Sequence, residues 1–324
     1  MWLAVIAVLI GLAILVWSAE VFIDGATTLA NHLRVPSFLV GVIILGLGTS
    51  APEMVVSVLA ALQGSPELAL GNAYGSNIMN IALVLGITAL ISPIIIHSSI
   101  VKRDLPLLLV ITILAAWQLR DGQLSQTDGV ILLLGLLAVL TFQIIVSLRE
   151  GSNKEENADS IDNNQAETAG LSRGLASLVI GMSILVLSSR AIVWGAVELA
   201  TYWGLSELII GLTIVAVGTS LPELVASLSA ARKGEHDMAL GNIIGSNAFN
   251  TLGVVGLAAL IAPIQADPII LSRDVLAMAL LTTLLVVLSV LAFISKRQLG
   301  RISGSILLLF FIGYTVLLAK TFNL

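Results

Sequence analysis

The stretch that decides the fold is GTSAPE at Gly48–Glu53, because it returns as GTSLPE at Gly218–Glu223. The same shift, with no gap, places ALGNAYGSNIMN (Ala69–Asn80) on ALGNIIGSNAFN (Ala239–Asn250). Half of the positions in 41–80 are identical to those in 211–250, and the identities favour Gly, Ser, Thr, Asn, Pro and Glu. An internal repeat that keeps such polar residues indicates two matching halves that share one task.

The composition places both halves in a lipid bilayer. Hydrophobic residues make up 57% of the 324 residues, charged residues only 11%, and the mean hydropathy is +1.05. A soluble chain carries about 25% charged residues, so we predict an all-α integral membrane protein. The chain has no cysteine, which excludes disulfides and thiolate metal sites. Nothing in it resembles a basic nucleic-acid-binding surface.

The apolar runs predict ten transmembrane helices, five in each repeat. An odd number of spans makes the second copy enter the membrane from the opposite side, so the copies are inverted repeats, as in many secondary transporters. The predicted limits of helices 1 to 10 are 2–22, 37–62, 68–92, 104–119, 128–148, 172–193, 207–231, 238–262, 274–294 and 303–320.

The distribution of Lys and Arg predicts the orientation. They concentrate in the loops that follow helices 1, 3, 5, 7 and 9, and such loops face the cytoplasm. Both termini are therefore expected outside. The domains are the first five-helix repeat at 1–148, a polar and acidic cytoplasmic linker at 149–171, which we predict to be disordered, and the second repeat at 172–324. We expect the inner membrane of a bacterial cell.

The predicted site lies where helices 2 and 7 break. Pro52 and Pro222 each remove a backbone N–H in mid-span and crowd the carbonyl four residues earlier. Two broken helices at matching places in inverted halves indicate the binding site of a transporter. An ordinary proline kink would account for one such helix, but not for the Thr, Ser and Glu that both copies keep beside the proline.

Glu53 and Glu223 are the acids of these two segments. A carboxylate near the bilayer centre costs several kcal/mol and survives only with a partner. Predicted helices 2, 3, 7 and 8 contain no Lys or Arg, so a bound cation is the simplest partner. We predict that the two acids converge on one central cation site. Two protonated glutamates that hydrogen-bond between helices are the alternative.

Helices 3 and 8 add further oxygen ligands. Asn72, Ser76 and Asn80 are four residues apart and form one stripe, as do their counterparts Asn242, Ser246 and Asn250. Small residues beside the stripes, such as Gly71 and Gly241, allow close helix approach. For Asn77 and Asn247, which lie off the stripe, we favour hydrogen bonds between helices.

The candidate ligands are hard oxygen donors, which suit Ca²⁺ and Na⁺. Imidazole is not among them, because His32, His97 and His236 lie at loop edges. Two carboxylates balance the charge of one Ca²⁺ or two Na⁺, and a site that holds either load but not both exchanges them.

The paired GTSxPE and GNxxGSNxxN segments closely resemble the alpha repeats of the cation/Ca²⁺ exchanger superfamily, and the chain is similar to bacterial calcium/sodium antiporters of the sodium/calcium exchanger type. The resemblance covers all ten helices. It implies broken helices 2 and 7 packed with helices 3 and 8 around a central ion site, alternating access, and helices 1 and 6 as a sliding gate. The ligands that it implies are Gly46, Thr49, Ser50, Glu53, Ser76, Asn80, Ala216, Thr219, Ser220, Glu223, Ser246 and Asn250.

One position departs from the family pattern, and some roles stay open. Several exchangers of this type carry Asp at one of the last two ligand positions, whereas this chain has Asn at both 80 and 250. This leaves the number of Na⁺ ions and any K⁺ dependence open. The charged residues of helices 1 and 6 either reach the lipid headgroups or line an ion entrance; they are Glu20, Asp24, Arg190 and Glu198.

The sequence thus predicts a Ca²⁺/Na⁺ antiporter rather than an enzyme. An antiporter that uses H⁺ as counter-ion is an alternative on the same fold, because intramembrane glutamates can carry protons; a passive cation channel is a further one. The chain has no phosphate-binding G-x-x-x-x-G-K-[ST] loop, so ATP-driven pumping is not expected. We expect no cofactor, Ca²⁺ and Na⁺ as substrates, the lipid bilayer as surroundings, and a functional monomer.

Overall fold

The computed structural model describes residues 1–155, 164–204 and 216–321, and the side chains of 148–155, 164–169 and 216 are not part of that description. These residues form helices almost throughout. Eight of the described helices are long and apolar enough to cross a membrane. Their exposed side chains include many large apolar residues, such as Leu9, Leu134 and Leu309, and such surfaces are stable against lipid.

We name the helices α1 to α10 in chain order. They are α1, Trp2–Leu33; α2, Ser37–Leu62; α3, Glu67–Ile91; α4, residues 100–118; α5, Gln126–Glu155; α6, Asn164–Tyr202; α7, described from Ala216; α8, His236–Ile261; α9, Ile270–Ile294; and α10, Arg301–Thr321. α7 consists of Ala216–Thr219 and Leu221–Arg232, with Ser220 between them. Besides the helices, the described loops contain one antiparallel pair of short strands, β1 (Gln123–Leu124) and β2 (Ile264–Gln265).

Two helices are much longer than predicted. α1 continues past the predicted end at 22 as far as Leu33, where Arg34 closes it with a left-handed backbone. α6 covers Asn164–Tyr202 instead of 172–193. The prediction ended these helices where polar residues begin, but polar side chains do not end a helix; α1 has no proline before Pro36.

Both ends of the predicted linker are helical. α5 continues to Glu155 and α6 begins at Asn164, which differs from the disordered 149–171 segment that the sequence suggested. Residues 156–163 lie outside the described residues, so disorder there stays a prediction. The first part of predicted helix 7, 207–215, lies outside them as well.

The chain folds into two compact units, and each unit takes residues from both sequence repeats. The first comprises Met1–Thr49 and Leu140–Asn242, and the second Ser50–Val139 and Ile243–Leu324.

In the first unit, α1 packs along α6 with very short spacing. A Cβ added to Gly25 would lie 2.4 Å from the backbone nitrogen of Leu178, and one added to Gly181 would lie 2.5 Å from that of Phe22. Glycine is therefore required on both helices at this crossing. An ion pair also joins Lys233, which follows α7, to Asp24 on α1.

In the second unit, α3 packs against α8 and α10, and α4 packs against α9. Two ion pairs between neighbouring residues lie at the starts of α4 and α9. Arg103 and Arg273 each bind the following aspartate through two nitrogens, at 2.9 and 3.2 Å for Asp104 and at 2.7 and 3.0 Å for Asp274. These pairs occupy equivalent positions in the two repeats. Each lies in the π-helical turn with which its helix begins.

Candidate ion-binding site

The prediction of a broken helix 2 is wrong. α2 runs without interruption through Pro52, and a π-helical turn at Gly41–Gly46 precedes the proline-containing part. A membrane helix tolerates proline where neighbouring groups satisfy the freed backbone. α7 is different, because its helix is interrupted at Ser220, just before Pro222.

The structure buries nearly all the predicted ligands whose side chains it describes. Thr49, Ser50, Glu53, Ser76 and Asn80 are buried, as are their counterparts Ser220, Glu223, Ser246 and Asn250. Gly46 is buried at the end of the π turn of α2. Thr219 is an exception, since it is exposed although its counterpart Thr49 is buried. The side chain of Ala216 is outside the described set.

In the first unit, Asn242 of α8 forms hydrogen bonds with α7 at and near Glu223. Its amide nitrogen donates to the backbone carbonyl of Glu223 at 3.4 Å and to the hydroxyl of Ser227 at 2.9 Å. Its amide oxygen accepts a hydrogen bond from Thr49 Oγ1 at 3.3 Å. Thr49 also donates to the carbonyl of Leu45 at 3.0 Å. The Asn242 side chain thus connects residues of α2, α7 and α8.

The second unit repeats the two donated hydrogen bonds of this arrangement around Glu53. Asn72 of α3 donates to the carbonyl of Glu53 at 3.3 Å and to the hydroxyl of Ser57 at 3.0 Å. Both asparagines bind the backbone of the glutamate and not its carboxylate. They satisfy a carbonyl on a proline-containing helix and leave the carboxylate to other partners. The sequence indicated a polar stripe at these positions, but not that its first member binds the backbone.

A second set of amides connects α3 and α8 within the second unit. Asn77 Nδ2 donates to Thr251 Oγ1 at 2.7 Å and approaches Met278 Sδ at 3.3 Å. Asn247 Nδ2 donates to the backbone carbonyl of Asn77 at 3.4 Å, and Asn80 Nδ2 donates to Asn247 Oδ1 at 3.1 Å. The predicted role of Asn77 and Asn247, hydrogen bonding between helices, is confirmed.

Three hydroxyl or amide oxygens of the predicted ligand set are buried in the second unit without a hydrogen-bond partner in the described part of the chain. They are Ser50 Oγ, Asn80 Oδ1 and Asn250 Oδ1. A buried polar atom without a hydrogen-bond partner costs about 1–3 kcal/mol. A bound ion is one of the partners that can compensate such an atom. The described residues contain no group of three or more His, Cys, Asp or Glu that could hold a metal ion. The buried candidate ligands in the described part of the chain are hydroxyl and amide oxygens as well as carboxylates.

These features define a class of protein: an α-helical membrane protein with proline-containing helices and a repeated set of buried carboxylates, hydroxyls and amides. The chain belongs to the sodium/calcium exchanger protein family, which matches residues 3–145 and 173–320.

Several relatives are similar over nearly their whole length. The putative antiporter CaxA of Alkalimonas amylolytica is 43% identical, over 98% of this chain and 99% of its own. The sodium/calcium exchanger MaX1 of Methanosarcina acetivorans is 29% identical, over 96% and 97%. A solved structure of the sodium-calcium exchanger NCX_Mj matches with a TM-score of 0.81 and 31% identity, over 98% of this chain and 99% of that one.

Proposed function

We propose that this protein is a secondary antiporter that exchanges Ca²⁺ for Na⁺ across the membrane by alternating access. The observation that carries the proposal is the repeated acidic segment, with Glu53 and Glu223 both buried in an apolar helical protein. Membership of the sodium/calcium exchanger family supports it. A buried carboxylate in a membrane span is stable when a cation or another polar group compensates it.

We propose as ion ligands the set that the sequence predicted. Ser50, Asn80 and Asn250 gain support from their buried oxygens, which have no partner in the described part of the chain. The assignment rests on residue chemistry, since carboxylate, hydroxyl, amide and carbonyl oxygens are the ligands that Ca²⁺ accepts. The full set is Gly46, Thr49, Ser50, Glu53, Ser76, Asn80, Ala216, Thr219, Ser220, Glu223, Ser246 and Asn250.

Flux through the purified protein tests the function. We expect proteoliposomes loaded with Na⁺ to take up Ca²⁺ when diluted into Na⁺-free medium, and vesicles without a Na⁺ gradient not to do so. Uptake driven equally well by an acidic interior without Na⁺ would instead identify H⁺ as the counter-ion. Ca²⁺ leakage that needs no counter-ion gradient would identify a channel.

Glu53→Gln and Glu223→Gln are each expected to abolish this exchange, because each variant removes one of the two negative charges that balance Ca²⁺. Glu67→Gln is the matched control: it removes an acid that is exposed at the start of α3, and its flux is expected to equal that of the parent. Wild-type exchange by either of the first two variants would remove that residue from the site.

We also propose ten spans, arranged as two inverted five-helix repeats at 1–148 and 172–324, in the inner membrane of a bacterial cell. In this topology both termini are outside, the acidic 149–171 segment is cytoplasmic, and the protein acts as a monomer. The excess of Lys and Arg in alternate loops supports the orientation.

The absence of cysteine from the chain permits a direct test of orientation. We expect a membrane-impermeant thiol reagent applied outside intact cells to label Asp121→Cys, which lies between α4 and α5, but not Ser160→Cys. In inverted membrane vesicles the result should reverse. Labelling of Ser160→Cys from outside intact cells would show the opposite orientation.

A further inference from the structure

The side-chain amide of Asn80 bonds to that of Asn247, which in turn bonds to the backbone carbonyl of Asn77. We call these two hydrogen bonds the relay. The backbone carbonyl determines which end of each amide donates. The carbonyl oxygen of Asn77 can only accept hydrogen bonds, so the group of Asn247 that lies 3.4 Å from it is the amide nitrogen. The oxygen of Asn247 then lies at the other end, 3.1 Å from Asn80. An oxygen can only accept here, so Asn80 turns its own amide nitrogen toward Asn247.

The direction of the relay decides which end of Asn80 remains available. With Asn80 Nδ2 bound to Asn247, the remaining end is Oδ1, which is buried and has no partner in the described part of the chain. A reversed Asn80 would place an NH₂ group there, and the partial positive charge of its hydrogens repels a cation. Nothing in the Asn80 side chain itself favours one of these two orientations, because the ends of an amide have nearly the same shape.

We propose, on the basis of the proposed function, that Asn247 is a positioning residue: it keeps the amide oxygen of Asn80 directed to the transported cation. This orientation allows a neutral asparagine to act as a cation ligand. Asn247 itself does not bind the ion in this proposal.

Among the residues that the structure describes, the relay is found in one repeat, and a sequence difference explains why. Asn77 is the repeat counterpart of Asn247, but its amide nitrogen donates to Thr251 at 2.7 Å. The counterpart of Thr251 is Ile81, which offers no side-chain acceptor. Asn247 therefore donates to a backbone carbonyl, whereas Asn77 donates to a hydroxyl. The backbone carbonyl that orients the amides is thus present on the side of Asn80.

A double-mutant cycle with Asn80→Asp tests the proposal. In the wild-type background, Asn247→Leu removes the acceptor that orients Asn80, so we expect the half-saturating concentrations of Ca²⁺ and Na⁺ to rise on the order of tenfold, as for the loss of one hydrogen-bonding group. The carboxylate introduced by Asn80→Asp presents an oxygen at either end, so Asn247→Leu should change these concentrations less than about twofold in that background. Thr251→Val is the control: it removes the acceptor of Asn77 but leaves the relay intact, and flux is expected to stay within about twofold.

The outcomes separate this inference from the proposed function. An equal loss of affinity from Asn247→Leu in both backgrounds would show that Asn247 only supports packing, and the positioning role would be wrong. Unchanged affinity in the wild-type background would also overturn it. Failure of the wild-type protein to take up Ca²⁺ against a Na⁺ gradient, in contrast, would overturn the proposed function, and it is measured before any variant is made.

Discussion

At the scale of single residues, the repeated asparagines Asn72 and Asn242 show how the chain holds its acidic helices. Each donates one hydrogen bond to the carbonyl of a glutamate and another to a serine four residues further along. In hydrocarbon, where water cannot replace a lost partner, such bonds are needed to keep carbonyls satisfied. They fix the backbone at each acid and do not engage its carboxylate.

The two asparagines are expected to differ in their contribution to stability. Asn242 is fully buried and also accepts from Thr49, whereas Asn72 is half-buried. Removing a partner from buried polar groups costs about 1–3 kcal/mol, so Asn242→Leu should lower the unfolding temperature of the protein in detergent more than Asn72→Leu does. Equal shifts, or a larger one for Asn72→Leu, would contradict the role given to the bond from Thr49.

The residue types of the candidate site could be proposed from the sequence, whereas the hydrogen bonds of these residues could not. The repeat and the cost of a buried charge identified Glu53 and Glu223, and the four-residue spacing identified the stripe on α3. Spacing cannot tell whether an asparagine binds a backbone carbonyl, a neighbouring amide or an ion, because the side chain has both a donor and an acceptor. The exposure of Thr219, unlike its buried counterpart Thr49, also could not be predicted.

At the scale of helices, π-helical turns mark corresponding places in the two repeats. α3 has one at Asn80–Leu85 and α8 has one at Phe249–Val254. Such turns often occur at functional sites, and these begin at the last asparagine of the GSNxxN motif or beside it. Nothing in the sequence indicated them, because a π turn needs no proline and uses ordinary residues. The break predicted at Pro52, in contrast, was not formed.

The space around equivalent glycines also differs between the repeats. Substitutions at Gly241 and Gly71 therefore form a matched pair of variants. A Cβ on Gly241 would lie 2.5 Å from the carbonyl of Phe38, whereas one on its counterpart Gly71 meets no atom of the described chain within 4 Å. The close approach of neighbouring helices that was predicted at both glycines is therefore found at Gly241 but not at Gly71. We expect Gly241→Ala to reduce the yield and thermal stability of the folded protein, because backbone cannot yield as a flexible side chain can.

Gly71→Ala is the control for this variant. Alanine is favoured over glycine by about 1 kcal/mol in a helix, so Gly71→Ala should be neutral or slightly stabilising by the same measurements. A stable Gly241→Ala protein would show that the α2–α8 spacing can relax.

At the scale of the whole molecule, the compact units do not coincide with the sequence repeats. The first unit pairs α1 with α6, and the second pairs α3 with α8 and α4 with α9. In each pair one helix comes from 1–148 and the other from 172–324, apart from the part of α6 that precedes 172. A single repeat therefore lacks the partners that bury its helices, even though it contains a complete set of motifs.

This arrangement predicts the behaviour of a divided chain. Residues 1–159 and 160–324, expressed separately, should each be degraded or aggregate, whereas co-expression should restore Na⁺-dependent Ca²⁺ flux. As a control, the intact protein with a protease site inserted at 159/160 should keep its flux after cleavage. Folding and exchange by either half alone would contradict the interdependence of the repeats.

The sequence by itself determined the membrane environment, the repeat and the chemical character of the buried residues. These follow from composition and from the cost of polar groups in lipid, which any fold of this chain must respect. Only the tertiary structure decided which end of Asn80 remains available, which glycine is at a close crossing and which helices pack together. Those properties depend on neighbours distant in sequence: one carbonyl on α3 fixes the amides between α3 and α8, and one carbonyl on α2 leaves no room for a Cβ at Gly241.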